Sequence, residues 1–309
     1  EICELMSGLK NTSASASEIP VKILKYVKNE LCHPISSLVN ESFVDGVFPD
    51  SLKLARVVPI YKTDDPLSVS NYRPIAILPI LSKIFERSMA TRLVKFSDKF
   101  NLISSSQFGF QKGVSTSHAI LDFVQNIYNA LDSKLHSLSV FIDLKKAFDT
   151  VNIEILLSKL HVYGVRGVVH RWFTSYLSNR KQYVSNGAAL SSVKGINIGI
   201  PQGSILGPIL FVFYINDLPN CSDLFKFVLF ADDTTLTHSN RCHFSLISEI
   251  NSELPKISEW THVNRLSLNV SKTHALFFSN RGSEISELSF LFDDFSIKSL
   301  TQNHLPLRC

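Results

Sequence analysis

The chain has 309 residues, 45% of them hydrophobic and 10% aromatic. That excludes a disordered chain and allows a sizeable core, with length enough for about two domains or subdomains. The five cysteines (Cys3, Cys32, Cys221, Cys242 and Cys309) are odd in number and never spaced C-x-x-C. They read as reduced thiols in an intracellular protein, with no disulfide framework or zinc knuckle. Net charge is +4 but uneven: residues 51–113 carry ten Lys/Arg against four Asp/Glu, leaving 21 basic and 23 acidic residues elsewhere. Charge alone reads first as a solvated surface, but the asymmetry also suits a phosphate-binding face beside a cation-holding region. No signal peptide opens the chain, and the most apolar run, 205–215, contains Pro208 and is too short to span a bilayer.

In chain order, a short Ser/Ala stretch at 13–17 precedes Glu18 and Pro20, which open an expected helix over 21–29. Helical patterns follow at 33–43 and 81–96, the second placing Leu81, Phe85, Met89, Leu93 and Phe96 on one face. Between them, 55–61 (ARVVPIY) reads as a strand, with Pro59 suggesting a sheet edge. Residues 138–143 (LSVFID) predict another strand and 152–163 a helix capped by Asp149 or Asn152. A hairpin is expected over 225–238, its arms FKFVLF and TTLTH flanking Ala231-Asp232-Asp233. Helix and strand alternate without strict βαβ order, which predicts an α+β fold.

Taken singly, Asp143 at a strand end reads as a cap or turn former before it reads as a metal ligand. The pair Asp232-Asp233 says more, because adjacent carboxylates repel unless a cation or solvent separates them; an exposed turn pair is the plainer alternative. Order adds context. Residues 141–151 (FIDLKKAFDTV), 199–208 (GIPQGSILGP) and 230–236 (FADDTTL) follow one another, with 71–86 (NYRPIAILPILSKIFE) and 107–116 (QFGFQKGVST) upstream. Residues 172–182 (WFTSYLSNRKQ) lie between them and 266–278 (LSLNVSKTHALFF) after them. From about residue 18 to 278 this series resembles the reverse transcriptase domain of non-LTR (LINE-type) retrotransposons.

That resemblance implies a right-hand polymerase with an antiparallel palm sheet covered by helices: fingers and an N-terminal helical extension over 1–135, interleaved with a palm over 136–278. It implies RNA-directed DNA polymerase activity by two metal ions, with Asp143, Asp232, Asp233 and the Leu144 carbonyl as ligands. Hard oxygen donors imply Mg²⁺, with Mn²⁺ serving in vitro. Lys62, Arg73 and Lys272 match residues near the triphosphate; a surface salt bridge is the alternative for Arg73 and a surface role for Lys272. Phe148 matches a bulky residue that excludes a 2′-OH; a core Phe is its alternative. Gln202 and Gly203 match an element packed against nucleotide and template. Gly109, Phe110 and Lys112 match a template-contacting loop. Trp172, Tyr176 and Arg180 offer stacking and phosphate contacts, with a buried core role the plainer reading of Trp172. The implied partners are an RNA template, a DNA primer or target and dNTPs, in the nucleus or a cytoplasmic ribonucleoprotein, without membrane; nothing bears on oligomeric state.

Gln111 and Val114 stand where the family usually has Arg, so two phosphate contacts are expected to be lost. Residues 279–309 are expected to be a degenerate tail, lacking the family's glycine-containing hairpin and helical thumb, and no endonuclease-like segment precedes Glu1. The alternatives are a truncated, inactive relic that still binds nucleic acid and, less well matched at 71–86 and 172–182, a group II intron-type maturase.

Overall fold

β-Branched and aromatic runs form the strands of the computed structural model, which describes residues 1–10, 19–280, 289–292 and 295–298. In chain order these are β1 (Leu54–Tyr61), β2 (Tyr72–Ile77), β3 (His136–Ile142), β4 (Arg180–Asn186), β5 (Ala189–Leu190) and β6 (Lys194–Ile196). β7 (Lys226–Phe230), β8 (Asp233–Asn240), β9 (His274–Phe278), β10 (Ser289–Phe292) and β11 (Phe295–Lys298) follow. The fold is mixed α and β, in two interleaved units: Glu1–Leu102 with Phe148–Tyr214, and Ile103–Ala147 with Ile215–Cys309. The Ser/Ala stretch at 13–17 and the tail beyond 298 lie outside the described residues. β10 and β11 pair antiparallel, so a hairpin stands within a segment where the sequence suggested none.

In the first unit the sheet runs β2-β1-β4-β5, with β6 also on β4. Pro59 corrects a sequence expectation. β1 is an inner strand, but β4 pairs only Leu54 to Val57, whereas β2 pairs as far as Tyr61. The proline lies where one side of the strand has run out of partners, so its missing N–H costs no ladder bond. Helices are also longer than periodicity suggested. Lys28–Asp45 continues through Pro34, and Ile80–Phe100 buries Ile84, Phe85, Met89 and Leu93. Leu81, expected on that face, is 37% exposed, and Ile80 is buried in its stead. A 3.6-residue period fixes a face but cannot say which neighbour covers its end.

Helix Gly167–Leu177 fills this core with Trp172, Phe173 and Tyr176. Trp172 stacks on Tyr176 at 5.5 Å and donates its indole N–H to Ser42 Oγ at 2.9 Å, which satisfies its one polar atom. Beneath lies a buried charged cluster. Glu86, fully buried on Ile80–Phe100, accepts from Ser82 Oγ at 2.8 Å and from the Ile205 backbone N–H at 2.6 Å. Its second oxygen thus caps the start of helix Leu206–Ile215. Burial raises the Glu86 carboxyl above the usual range, while Ser82, the Ile205 N–H and the Arg180 charge pull it back.

In the second unit the sheet order is β7-β8-β3-β9, all antiparallel. Both faces are covered. Phe123 of helix Thr116–Asp132 meets Phe141 at 5.6 Å on one face. On the other, Glu249 of helix His243–Val263 accepts from His238 at 2.7 Å. This double burial explains why six of the seven β3 residues are buried, the polar Ser137 and Ser139 among them. In the first unit, helix Ile153–Val162 is capped by Asn152, whose side chain accepts from the Ile155 N–H at 3.0 Å, which settles the choice between Asp149 and Asn152.

Replacing Glu86 by Leu removes the cap on Leu206–Ile215 and leaves the Ile205 N–H and the Ser82 hydroxyl without their acceptor. The expected loss is about 1–3 kcal/mol of unfolding free energy, as for other buried polar groups left unpaired. Urea denaturation of the variant checks this; a loss under about 1 kcal/mol would mean that the carboxylate does not anchor this helix.

Candidate active site

Pairing register brings the acidic residues together. In the antiparallel β3–β8 pair Ile142 stands opposite Thr234, and one step further Asp143 leaves β3 where Asp233 enters β8. Asp232 lies in the β7–β8 turn, directly before Asp233 and closed by the Phe230–Asp233 pair. The turn is tight: Ala231 adopts φ +58°, a left-handed conformation unusual for a residue with a Cβ. Burial raises the Asp233 carboxyl above the ordinary range, and the charges of Asp232 and then Asp143 raise it further. Three carboxylates thus share one end of the sheet.

Asp143 is held from one side by residues 266–273. Asn269 Nδ2 donates to Asp143 Oδ2 at 2.7 Å, and the Asn269 backbone N–H donates to the Asp143 carbonyl at 2.8 Å. The Lys145 N–H reaches the Ser267 carbonyl at 2.7 Å. These bonds flank Leu144, which bridges Leu268 and whose own carbonyl takes no part in them. A shallow pocket beside this clamp is lined by Lys145, His262, Ser267 and Asn269, among others.

Among the described residues, no three His, Cys, Asp or Glu side chains converge closely enough to hold a metal ion by themselves. The donor set nevertheless fits a hard divalent cation. Mg²⁺ keeps several waters and takes substrate phosphates beside one or two carboxylates, so it needs no all-protein cage. Burial, and then the neighbouring charges of Asp232 and Asp143, disfavour the Asp233 carboxylate, and a bound cation would offset both.

The turn that carries Asp232 has a second support. The Phe108 N–H donates to the Leu229 carbonyl and the Leu229 N–H to the Ser106 carbonyl, each at 2.8 Å, so residues 106–108 run along the edge of β7. Gln107 is buried there, and its Oε1 accepts from the Gly109 N–H at 2.7 Å and from the Ala231 N–H at 3.1 Å. A Cβ on Gly109 would lie 2.2 Å from the Ala231 nitrogen, so only glycine lets the backbones approach this closely. Phe110, at φ +56°, and Lys112 are exposed beyond it.

In the other unit, Gln202 is stitched between two segments. Its carbonyl accepts from the Ala76 N–H of β2 at 2.7 Å, and its side chain donates to Asp149 Oδ1 at 2.8 Å. Gly203, at φ +126°, lies against β2, where a Cβ would meet the Ala76 carbonyl at 2.3 Å. Phe148 is half-buried and stacks on Phe211 at 4.5 Å. On the strand before Ala76, Arg73 pairs with Ile60, and Lys62 extends β1 through a bond to the Asn71 carbonyl. Arg73, Lys62 and, in the second unit, Lys272 are exposed; among the described residues none pairs with a carboxylate. A surface salt bridge therefore does not account for Arg73.

Arg180 corrects the expectation of a phosphate contact. It is 2% exposed, donates from Nη1 to the Tyr176 carbonyl at 3.0 Å and lies 4.9 Å from the Tyr176 ring centre. Its charge serves the buried Glu86 cluster, and Trp172 and Tyr176 are core residues as well. Sequence reasoning singled out neither Gln107 nor Asn269. Both lie inside quoted motifs, but an amide has no distinctive spacing, and only its partners reveal it.

The reverse transcriptase (RNA-dependent DNA polymerase) family profile matches residues 60–298, and so extends past residue 278 into the segment expected to be a degenerate tail. The chain is 30% identical over 288 residues to a probable RNA-directed DNA polymerase from transposon X-element of Drosophila melanogaster, covering 90% of this chain and 31% of that protein. It is 31% identical over 281 residues to the corresponding protein from transposon BS (86% and 29%), and 30% identical over 255 residues to that of mobile element jockey (79% and 28%), both from the same organism. The chain thus spans under a third of the length of these curated relatives. No helix among the described residues is long and apolar enough to cross a membrane. With the acidic sheet end, the match shows that the chain belongs to the reverse transcriptase family, among the RNA-directed DNA polymerases of non-LTR (LINE-type) retrotransposons.

Proposed function

We propose that this chain is the polymerase core that adds dNTPs to a DNA 3′-OH opposite an RNA template during retrotransposition. The observation that carries this reading is the meeting of Asp143, Asp232 and Asp233 at one end of the β3–β8 pair. In this reading the four-stranded sheet is the palm and the β1–β2 pair belongs to the fingers.

Asp143, Asp232, Asp233 and the Leu144 carbonyl would hold Mg²⁺, or Mn²⁺ in vitro. When bound, the metal neutralises triphosphate charge and lowers the pKa of the attacking hydroxyl. Asn269 fixes one Asp143 oxygen by its hydrogen bond and leaves the other free. Arg73 grips phosphate oxygens through its planar fork, with Lys62 and Lys272 as point charges. Phe148, braced by Phe211, fills the space a 2′-OH would need. Gln202 and Gly203 hold their backbone against β2 beside the nucleotide, and Gly109, Phe110 and Lys112 contact the template. The RNA template, primer or target DNA and dNTPs are the partners this chemistry requires, met in a nuclear or cytoplasmic ribonucleoprotein.

Primer extension on an RNA template with Mg²⁺ or Mn²⁺ tests the reading. Asp232→Ala should lower extension by about a hundredfold or more while template affinity stays within about twofold. Extension by that variant at the wild-type rate would remove Asp232 from the chemistry. Template binding by the wild type without extension would instead mean a nucleic-acid-binding relic.

Substituting Phe148 by Val should raise the rNTP-over-dNTP ratio of kcat/KM by about tenfold or more, the size of effect a lost pocket wall produces. Single-nucleotide incorporation measures it, and an unchanged ratio would place the sugar elsewhere.

A further inference from the structure

The geometry points to Gln107 as a positioning residue that holds the Ala231–Asp232 turn in place, an inference that rests on the polymerase reading. Gln107 is 4% exposed. Both groups facing its Oε1, the Gly109 and Ala231 N–H groups, are donors, so the amide orientation is dictated: only oxygen can face them. Its Nε2 is buried with no hydrogen-bond partner among the described residues. An orphaned buried amide N–H costs stability that a side chain without it would not lose. The oxygen therefore explains the residue at this place, and stability alone does not.

The consequence for Asp232 is direct. Ala231 precedes it and stands at φ +58°, a backbone state that a residue with a Cβ holds only when its surroundings over-determine it. The Phe230–Asp233 pair closes the ladder below the turn, and the Ala231 N–H points out of the ladder, to Gln107. The contact is not a local turn bond, since it spans 124 residues of sequence. Close packing of Gly109 on the Ala231 nitrogen brings the amide within reach. Gln107 thus acts on Asp232 through the backbone and touches no reacting atom.

Four proteins test this: the wild type, Gln107→Met, which keeps the volume but lacks the acceptor, Gln107→Glu, which keeps it, and Ile250→Val as a core control in the same unit. Amide exchange at Ala231 reads the clamp, Mn²⁺ titration by electron paramagnetic resonance reads the carboxylates, and extension reads the reaction. Gln107→Met should exchange Ala231 about tenfold faster or more, with Leu236 in β8 unchanged. It should bind Mn²⁺ about tenfold more weakly, as when other side chains that orient a ligand are lost. Its kcat should fall about tenfold or more, with the KM for dNTP within about twofold. Gln107→Glu should restore Ala231 protection, and Ile250→Val should move none of the three. Unchanged Ala231 exchange in Gln107→Met overturns the clamp. Faster exchange with wild-type Mn²⁺ affinity overturns the positioning role. If the wild type does not extend primers, the polymerase reading falls, while exchange and Mn²⁺ affinity still decide the role of Gln107.

Discussion

The rest of the candidate site depends on the register of the β3–β8 pair. An antiparallel ladder allows only certain residues to face one another, and here the step after Ile142–Thr234 sets Asp143 against Asp233, with Asp232 in the adjoining turn. Like charges so placed destabilise a sheet. Burial first, and then the charges of Asp232 and Asp143, raise the Asp233 carboxyl above its ordinary range. A one-residue slip would leave Asp143 beside the same acidic turn and turn every side chain of β3 to the opposite face. Since helices cover both faces, the core enforces a register that the charges oppose.

Around this conflict the second unit adds side-chain amides. Asn269 holds Asp143 from residues 266–273, and Gln107 holds the Ala231–Asp232 turn from the edge of β7. Amides suit the task because they hydrogen-bond strongly without adding charge to a place already crowded with it. The acidic end of the sheet is thus fixed from both flanks by neutral groups.

The first unit solves a different problem, the placement of an irregular segment that contains Gln202 and Gly203. Close approach of Gly203 to Ala76, the Gln202–Asp149 bond and the Glu86 cap on Leu206–Ile215 fix residues 202–205 at successive points. Backbone that is neither helix nor strand must find partners for its polar groups one by one, and a buried carboxylate on a neighbouring helix supplies one of them. The charge cluster of Glu86 and Arg180 therefore follows from building a loop into a core.

The sequence by itself determined much of this protein. Runs rich in β-branched and apolar residues marked β1 and β3, turn-prone residues marked the β7–β8 hairpin, and the order of short motifs carried the family, because these signals are local and survive as strings. Asp143, Asp232 and Asp233 were legible for that reason. The helices Thr116–Asp132 and His243–Val263 were not: the second contains Pro255, and no motif names the first. Tertiary structure alone decided the fate of polar residues whose role depends on what surrounds them. Arg180 reads as a surface cation but is buried beside Tyr176; Pro59 reads as an edge residue but lies on an inner strand with one side locally unpaired. Gln107 and Asn269 carried no signal, since a hydrogen bond across more than a hundred residues belongs to the packing of segments and not to their composition.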